Sequence, residues 1–396
     1  MIYLDVTGAA TSRISTGIQR ATRGIHRALL GQGDHDIVPL VWDNKGCSYA
    51  SLSPLEKEYL ERPFGKGFRS LFWPDIQDQY LSPRGIRNHW SRPKRRIARS
   101  GFLNKADTLL ITDLCWDSRV DVWSDYASEP GLKVAIFHDA MPLRIPGQSF
   151  MWDGLFKKYV KGLALMDLVI CVSRESEEDL CSAWNGFGIN AQPTKVITWP
   201  VPFEGERPLA EPLSGRPKLL YVSRLLRRKN HFELLEACEM LWKEGLEFSL
   251  DLIGTADAPP DTIAIISRLA MLGLVRRPVR WLRHVSDLEL SEAYRDCSFT
   301  VFPSRMEGFG LPILESLWYG KPVICGGNGA LGEVSSDGGC LIVDQNNPAA
   351  LAEGIRCLLG NPAKLQELSE KAQRRNFRAW SHYTDDLLSA IEEGRA

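Results

Sequence analysis

The sequence predicts an α/β protein of two doubly wound, Rossmann-like domains facing a cleft. Short apolar runs recur along the whole chain with helical patterns between them, the alternation typical of parallel-sheet proteins. At 396 residues the chain is long enough to bury two separate cores. Near its middle, residues 200–217 are dense in proline and polar side chains, the composition of an interdomain linker. The expected division is a domain over 1–200, a linker over 201–216 and a domain over 217–379.

Composition narrows the function. Lys and Arg number 48 against 49 Asp and Glu, so the net charge of −1 carries no global sign of nucleic-acid binding. No apolar run approaches the ~20 residues that span a bilayer, and the opening Met1-Ile2-Tyr3-Leu4-Asp5 lacks a signal peptide's basic start and apolar core. The nine cysteines include no C-x-x-C pair, and their odd number argues against a closed disulfide framework. A reducing, cytoplasmic setting without a structural zinc is expected.

In chain order, residues 2–6 read as a strand, a polar turn follows, and a helix over 17–30 buries Ile18, Ile25, Leu29 and Leu30. The turn holds Gly8, Thr11, Ser12, Ser15, Thr16 and Gly17, small groups that suit a ligand lip or a simple turn. It carries no G-x-G-x-x-G dinucleotide fingerprint. Residues 43–105 are the least regular stretch. Within them, 81–105 has eight Lys and Arg, Arg92, Arg95 and Arg96 among them, no acid, and Trp90 in the middle. Such a run either binds an anionic membrane face or the pyrophosphate of a lipid-linked acceptor, each cation contributing about 1 kcal/mol, or is a solvated surface. Strands over 107–112 and 132–137 follow, the second running into His138 and Asp139. At a strand's C-terminal end His138 can hydrogen-bond a sugar hydroxyl or an anionic oxygen, or be structural, and Asp139 can fix its tautomer or meet an acceptor hydroxyl. A helix over 149–165 and a strand over 167–172 lead to Ser173, which with Ser176 reads as a capped helix start. A strand over 195–198 closes the first half.

The second half opens on an apolar strand at 218–222, beyond which Ser223, Arg224 and Lys229 lie in a loop before a helix from about 231. Two cations there either clamp a diphosphate and stabilise the negative charge that builds when a sugar leaves it, or belong to a solvated basic turn. A strand over 248–253 ends at Gly254, which suits close approach by a ligand. The strand over 299–302 runs into Pro303-Ser304 and then Glu307-Gly308-Phe309-Gly310-Leu311-Pro312. Gly308 and Gly310 let backbone amides approach a ligand, and a helix starting near Pro312 buries Ile313, Leu314 and Leu317 and stops at Gly320. A helix N-terminus behind such a loop is an anion site. Glu307 in the loop and Glu315 one turn inside the helix either grip hydroxyls of one ligand from two depths or are a solvated loop acid and a favourable first-turn acid. Strands over 322–325 and 340–343, a glycine turn over 326–329 and terminal helices complete the chain.

The Glu307 and Glu315 pair, with seven residues between them in this order of glycines after Pro303-Ser304, resembles the E-x7-E motif of retaining glycosyltransferases of family 4, which have the GT-B fold. The resemblance covers nearly the whole chain and is strongest over 218–340. It implies an acceptor-side first domain, a second domain that binds the nucleotide sugar, and a final helix over 380–394 that packs back on the first. It implies that Glu307 contacts the donor sugar, Glu315 the ribose, and the backbone of Gly308, Phe309, Gly310 and Leu311 the diphosphate. By the same resemblance Arg224 and Lys229 take the phosphates, with Ser223 where glycine is commoner, His138 approaches the donor sugar, and Gly17 faces the donor phosphates and the acceptor. Arg283 stands where the family's base-binding segment usually has glycine, a departure that alters the nucleoside pocket.

The implied activity is retaining transfer of a hexose from a nucleoside diphosphate sugar to a hydroxyl of a glycan or lipid-linked acceptor, without metal or cofactor. The forms Glu-Gly-Phe-Gly-Leu-Pro and Thr-Gly-Ile-Gln-Arg resemble bacterial enzymes of O-antigen (lipopolysaccharide) and exopolysaccharide synthesis, and so favour mannose from GDP-mannose at the inner face of the membrane. A UDP- or dTDP-sugar donor, a sugar-nucleotide epimerase or phosphorylase on the same fold, and a non-catalytic nucleotide-sugar-binding protein are the alternatives.

Overall fold

The structure, a computed structural model, describes residues 1–11, 16–33, 35–61, 97, 101–145, 150–203, 205–208, 215–256 and 260–395. Arg92, Arg95, Arg96 and most of the basic stretch 81–105 lie outside these residues. Among the described residues the chain forms two compact units, one running to Pro202 and resuming at Arg378, the other covering Phe203–Phe377.

The first unit is built on seven strands: β1 (Ile2–Asp5), β2 (Ile37–Asp43), β3 (Ser48–Ser51), β4 (Thr108–Ile111), β5 (Leu132–Phe137), β6 (Leu168–Cys171) and β7 (Thr194–Val196). Their order is β3-β2-β1-β4-β5-β6-β7, parallel except for the β2–β3 pair. Between them lie α1 (Thr7–Thr11), α2 (Gly17–Gln32), α3 (Pro54–Glu61), α4 (Arg119–Ala127), α5 (Met141–Arg144), α6 (Phe150–Leu163) and α7 (Arg174–Gly186). Every residue of β4, β5 and β6 is buried, which is why these strands read as nearly continuous apolar runs. The one charge among them, Lys133, keeps its ammonium on the carbonyls of Glu129 and Gly131, at 3.1 and 2.9 Å, and on Asp167.

Several expectations change here. The turn after β1 is in part the short helix α1, and the stretch read as irregular contains the hairpin strand β3 and α3. In α2 the buried residues are Ala21, Thr22, Arg23, Gly24, Ile25, His26 and Leu29; Ile18 is only partly buried and Leu30, in the last turn, is exposed. Ser173 caps α7, accepting the Ser176 amide at 3.0 Å while the Ser176 hydroxyl accepts the Ser173 amide.

In the second unit six strands, β8 (Lys218–Val222), β9 (Ser249–Ile253), β10 (Val279–Leu282), β11 (Phe299–Phe302), β12 (Val323–Cys325) and β13 (Cys340–Ile342), run parallel in the order β10-β9-β8-β11-β12-β13. A 3₁₀ turn at Arg227–Lys229 precedes α8 (His231–Lys243). The remaining helices are α9 (Pro260–Leu274), α10 (Asp287–Asp296), α11 (Leu311–Trp318), α12 (Gly329–Ser335), α13 (Pro348–Gly360) and α14 (Pro362–Arg374). Gly329, read as part of a turn, opens α12. In both sheets the winding direction reverses once, between β1 and β4 and between β8 and β11. Strand ends at such a reversal leave the crevice in which doubly wound sheets present ligand-binding groups.

The segment expected to be a linker is anchored at Arg207. Its guanidinium donates to the carbonyls of Leu317 and Ala372 at 2.9 and 3.0 Å and of Gln373 at 2.7 Å, so it satisfies free carbonyls at the ends of α11 and α14. The last helix, α15 (Trp380–Arg395), belongs to the first unit and packs on α2. The Trp380 indole occupies the space over Gly24, where a β-carbon would come within 2.3 Å of the ring.

Candidate functional site

In the second unit the loops after β8 and β11 leave the sheet at its reversal point and meet. Arg305 donates its amide to the Arg228 carbonyl at 2.9 Å, which ties the two loops together. The Glu307 carboxylate lies between two cations: Lys229 bonds one oxygen, and Arg228 reaches the other at 3.3 Å and also donates to the Met306 carbonyl at 3.1 Å. Burial alone raises the Glu307 pKa, but Lys229 and then Arg228 outweigh it and hold the carboxyl below its ordinary value. Lys229 is placed from behind as well: its ammonium lies over the Phe302 ring, 5.3 Å from the centroid, and its carbonyl accepts the Tyr221 hydroxyl at 2.6 Å. Glu307 and Lys229, singled out in the sequence, are therefore in contact, and Arg228 completes the cluster. Sequence reasoning passed over Arg228 because Arg227-Arg228-Lys229 reads as one solvated basic run. Arg224 and Ser223, partly buried, begin the same loop.

The glycine loop continues from Glu307. Gly310, with φ of 109°, caps α11 in a conformation that favours glycine, and Pro312 takes the first turn. Gly308 and Leu311 are partly buried, and Phe309 is buried. Glu315 lies deeper. It is 2% exposed and accepts the Tyr294 hydroxyl at 2.7 Å, and Tyr294 in turn stacks on Tyr319 at 5.4 Å. Tyr294, 21 residues upstream, carried no signal in the sequence as its partner. At Gly254 the close approach is made by protein: a β-carbon would sit 2.1 Å from the Ser223 carbonyl oxygen, at a φ of 147°. This glycine lets β8 and β9 converge under the loop, a close approach made by protein backbone.

His231 opens α8 directly behind Lys229 and packs on Tyr221, with ring centroids 4.8 Å apart. Burial first and Lys229 second push its pKa down to about 3, with the Leu226 backbone acting weakly against them. A folded-state value below the unfolded one means that neutral His231 stabilises the protein fully above its ordinary value of 6.5, and that this contribution is lost as pH falls towards 3. Urea unfolding at pH 6, 5.25 and 4.5 is therefore expected to show a stability loss shallower by about 1.4 kcal/mol per pH unit in His231→Gln than in the parent protein. Equal slopes would remove His231 from the acid response.

The first unit presents a separate set of groups at its own reversal point. Asp5, fully buried at the end of β1, accepts from the Thr7 amide at 3.0 Å and from the Tyr49 hydroxyl and Arg119 Nη1 at 2.8 Å each. Arg119 also reaches Asp113 at 3.2 Å and Asp117 at 2.8 Å. Burial raises the Asp113 pKa, with Arg119 opposing. Gly8 packs on Asp113, where a β-carbon would lie 2.5 Å from its oxygen. His138, at the end of β5, is buried with Nε2 at 2.9 Å from the Thr112 carbonyl and its ring stacked on Trp199 at 5.8 Å. Burial lowers its pKa, the Thr112 carbonyl opposing. The carbonyl contact selects the neutral tautomer in which Nε2 donates and Nδ1 is an acceptor. Asp139 accepts the Met141 amide at 3.0 Å, which starts α5, and Gly17 is the exposed first residue of α2. The Asp5–Arg119–Asp113 network was missed, because nothing in the sequence links positions 114 residues apart.

Residues 206–375 match the family model described as glycosyl transferases group 1. The second unit is a glycosyl transferases group 1 domain. The serotype-specific mannosyltransferase WbdA of Escherichia coli is 25% identical over 347 residues, covering 82% of this chain and 38% of the relative. The O-antigen chain mannosyltransferase B of Escherichia coli is 32% identical over 176 residues, 44% of this chain and 45% of the relative. The chain thus spans less than half the length of these curated relatives. Among solved structures, the sucrose-phosphate synthase of Thermosynechococcus elongatus aligns with a TM-score of 0.66 at 18% identity, covering 99% of this chain and 98% of the other. Anabaena HepE in complex with UDP and glucose aligns at 0.63 and 16%, covering 98% and 99%. With these neighbours the two parallel-sheet units have the GT-B fold, as the E-x7-E resemblance implied. Within the group 1 domain lie the Glu307, Lys229 and Arg228 cluster, the Gly310 cap and the buried Glu315.

Proposed function

We propose that the chain moves a hexose, mannose from GDP-mannose by preference, to a hydroxyl of a glycan or lipid-linked acceptor, retaining the anomeric configuration and using no metal. The observation that carries this reading is the Glu307 carboxylate held ionised by Lys229 and Arg228 in front of the α11 N-terminus. An ionised carboxylate accepts hydrogen bonds from sugar hydroxyls. The same cations, with Arg224 and the loop amides from Gly308 to Leu311, offset charge on a departing diphosphate, which supports a reaction without a metal. In that step the bond from C1 to the diphosphate oxygen breaks and its electron pair leaves with the nucleoside diphosphate. The acceptor oxygen bonds C1 from the same face and gives its proton to the leaving phosphate oxygen, so no protein nucleophile is assigned. Glu315 would meet the ribose. The mannose preference and the O-antigen setting rest on the relatives named for those activities. Action on a lipid-linked acceptor would put the enzyme in the cytoplasm at the inner membrane face. Among the described residues no helix is long and apolar enough to cross a membrane.

A panel of GDP-, UDP- and dTDP-sugars in thermal-shift assays tests this reading. GDP-mannose is expected to raise the melting temperature, equally with magnesium and with chelator, because a ligand that binds only the folded state stabilises it by linkage. Selective stabilisation by a UDP- or dTDP-sugar would overturn the donor, and a response abolished by chelator would overturn metal independence. Folded protein that responds to no donor would point to a non-catalytic role.

A further inference from the structure

The exposed face of α9 has the composition of a core. From Thr262 to Leu274 its only charge is Arg268, which is turned away into an ion pair with Glu239. Towards solvent the helix shows Ile263, Met271 and Leu274, followed by Val275, at 61, 58, 76 and 63% exposure, with the uncharged Ala264, Ser267 and Ala270 between them. These positions fall three, four and seven residues apart, so they form one stripe along the helix. A shallow hollow of about 280 Å³, lined by Ile266, Leu269, Ala270, Val279, Trp281 and Arg283, flanks the stripe. A soluble surface helix normally carries charges on this side, and a contiguous apolar patch of this kind marks an interaction surface.

Charge identifies the occupant. Residues 276–283 hold four arginines and no acid. Arg280 is neutralised by Asp251, and Arg277 donates to the Trp242 carbonyl. Arg276 and Arg283 are exposed at the edge of the apolar face, and Arg283 lies over the Trp281 ring, 4.3 Å from its centroid. An apolar stripe edged by cations complements the headgroup and acyl boundary of an anionic bilayer. Two copies of this face placed together would instead oppose like charges.

We propose that α9 and the Arg276–Arg283 edge form a membrane-docking surface on the second unit, with an anionic lipid bilayer as the partner. Ile263, Met271 and Leu274 enter the acyl boundary while Arg276 and Arg283 meet lipid phosphates. These residues are distinct in sequence from the basic stretch 81–105.

Co-sedimentation of the full chain with phosphatidylglycerol-containing vesicles and with pure phosphatidylcholine vesicles tests the proposal, with melting temperature and oligomeric state recorded for each variant. Binding to the anionic vesicles is expected to exceed that to neutral ones and to fall by at least about tenfold in Met271→Glu/Leu274→Glu. Arg276→Glu/Arg283→Glu is expected to fall comparably and to lose its salt dependence. Wild-type binding in both variants would overturn the proposal. So would binding lost only in Arg92→Glu/Arg95→Glu/Arg96→Glu, which would assign the membrane to the other stretch. A wild-type dimer that Leu274→Glu converts to monomer, without vesicle binding, would make the face a contact between two copies.

Discussion

Glu307→Gln is expected to lower the turnover of sugar transfer by about 10²–10³-fold, the usual loss when one preorganised charge is removed from a reacting centre. Glutamine keeps the shape and one acceptor oxygen, so the change isolates the negative charge. That charge has two partners in the resting protein, Lys229 and Arg228, and its loss leaves two cations facing one another in a partly closed site. A nucleoside diphosphate brings the missing negative charge with it. GDP affinity is therefore expected to hold or tighten while turnover collapses, a split that simple unfolding of the loop would not give. Lys229→Met should show the opposite pattern, with weakened GDP binding, because the ammonium is the diphosphate's partner. If the two residues act as one unit, the double variant is little slower than Glu307→Gln alone, and steady-state kinetics of the four proteins reads this coupling directly. Normal turnover in Glu307→Gln would remove Glu307 from the chemistry.

The parts legible in the sequence are those where one local pattern decides the outcome. β5 reads correctly over Leu132–Phe137 because all six residues are buried, and α11 because a proline and a glycine mark its two ends. β3, whose four residues are Ser48, Tyr49, Ala50 and Ser51, has no such run; it is a strand because Tyr49 and Trp42 pack across the hairpin at 5.2 Å. α1 is too short to show a period and is fixed by Asp5, whose carboxylate accepts the first amide. Strand order is a tertiary property, so the reversals that bring the loops after β8 and β11 together could not be read in advance. Gly254 teaches the same lesson at one residue: glycine signals a close approach but does not say whether ligand or backbone makes it.

Arg119→Met is expected to lower the unfolding free energy by about 3–5 kcal/mol, because it strands the carboxylates of Asp5 and Asp113. Asp5 is fully buried and Arg119 is its only cation among the described ion pairs; Tyr49 and Thr7 supply hydrogen bonds but no charge. Asp113 shares the same guanidinium, and its pKa is already raised by burial above its ordinary 3.8. A raised folded-state value penalises the native state wherever the carboxyl is ionised. The penalty is absent below the ordinary value and complete once pH has passed the raised one. Without Arg119 that window widens upward, so the variant's deficit should be smaller at pH 5 than at pH 8 in urea unfolding followed by tryptophan fluorescence. Asp5→Asn/Arg119→Met removes the most deeply buried of the stranded charges as well as the cation, and should recover part of the loss. A double variant as unstable as Arg119→Met would mean that Arg119 acts by filling space between β1 and α4, with its charge immaterial.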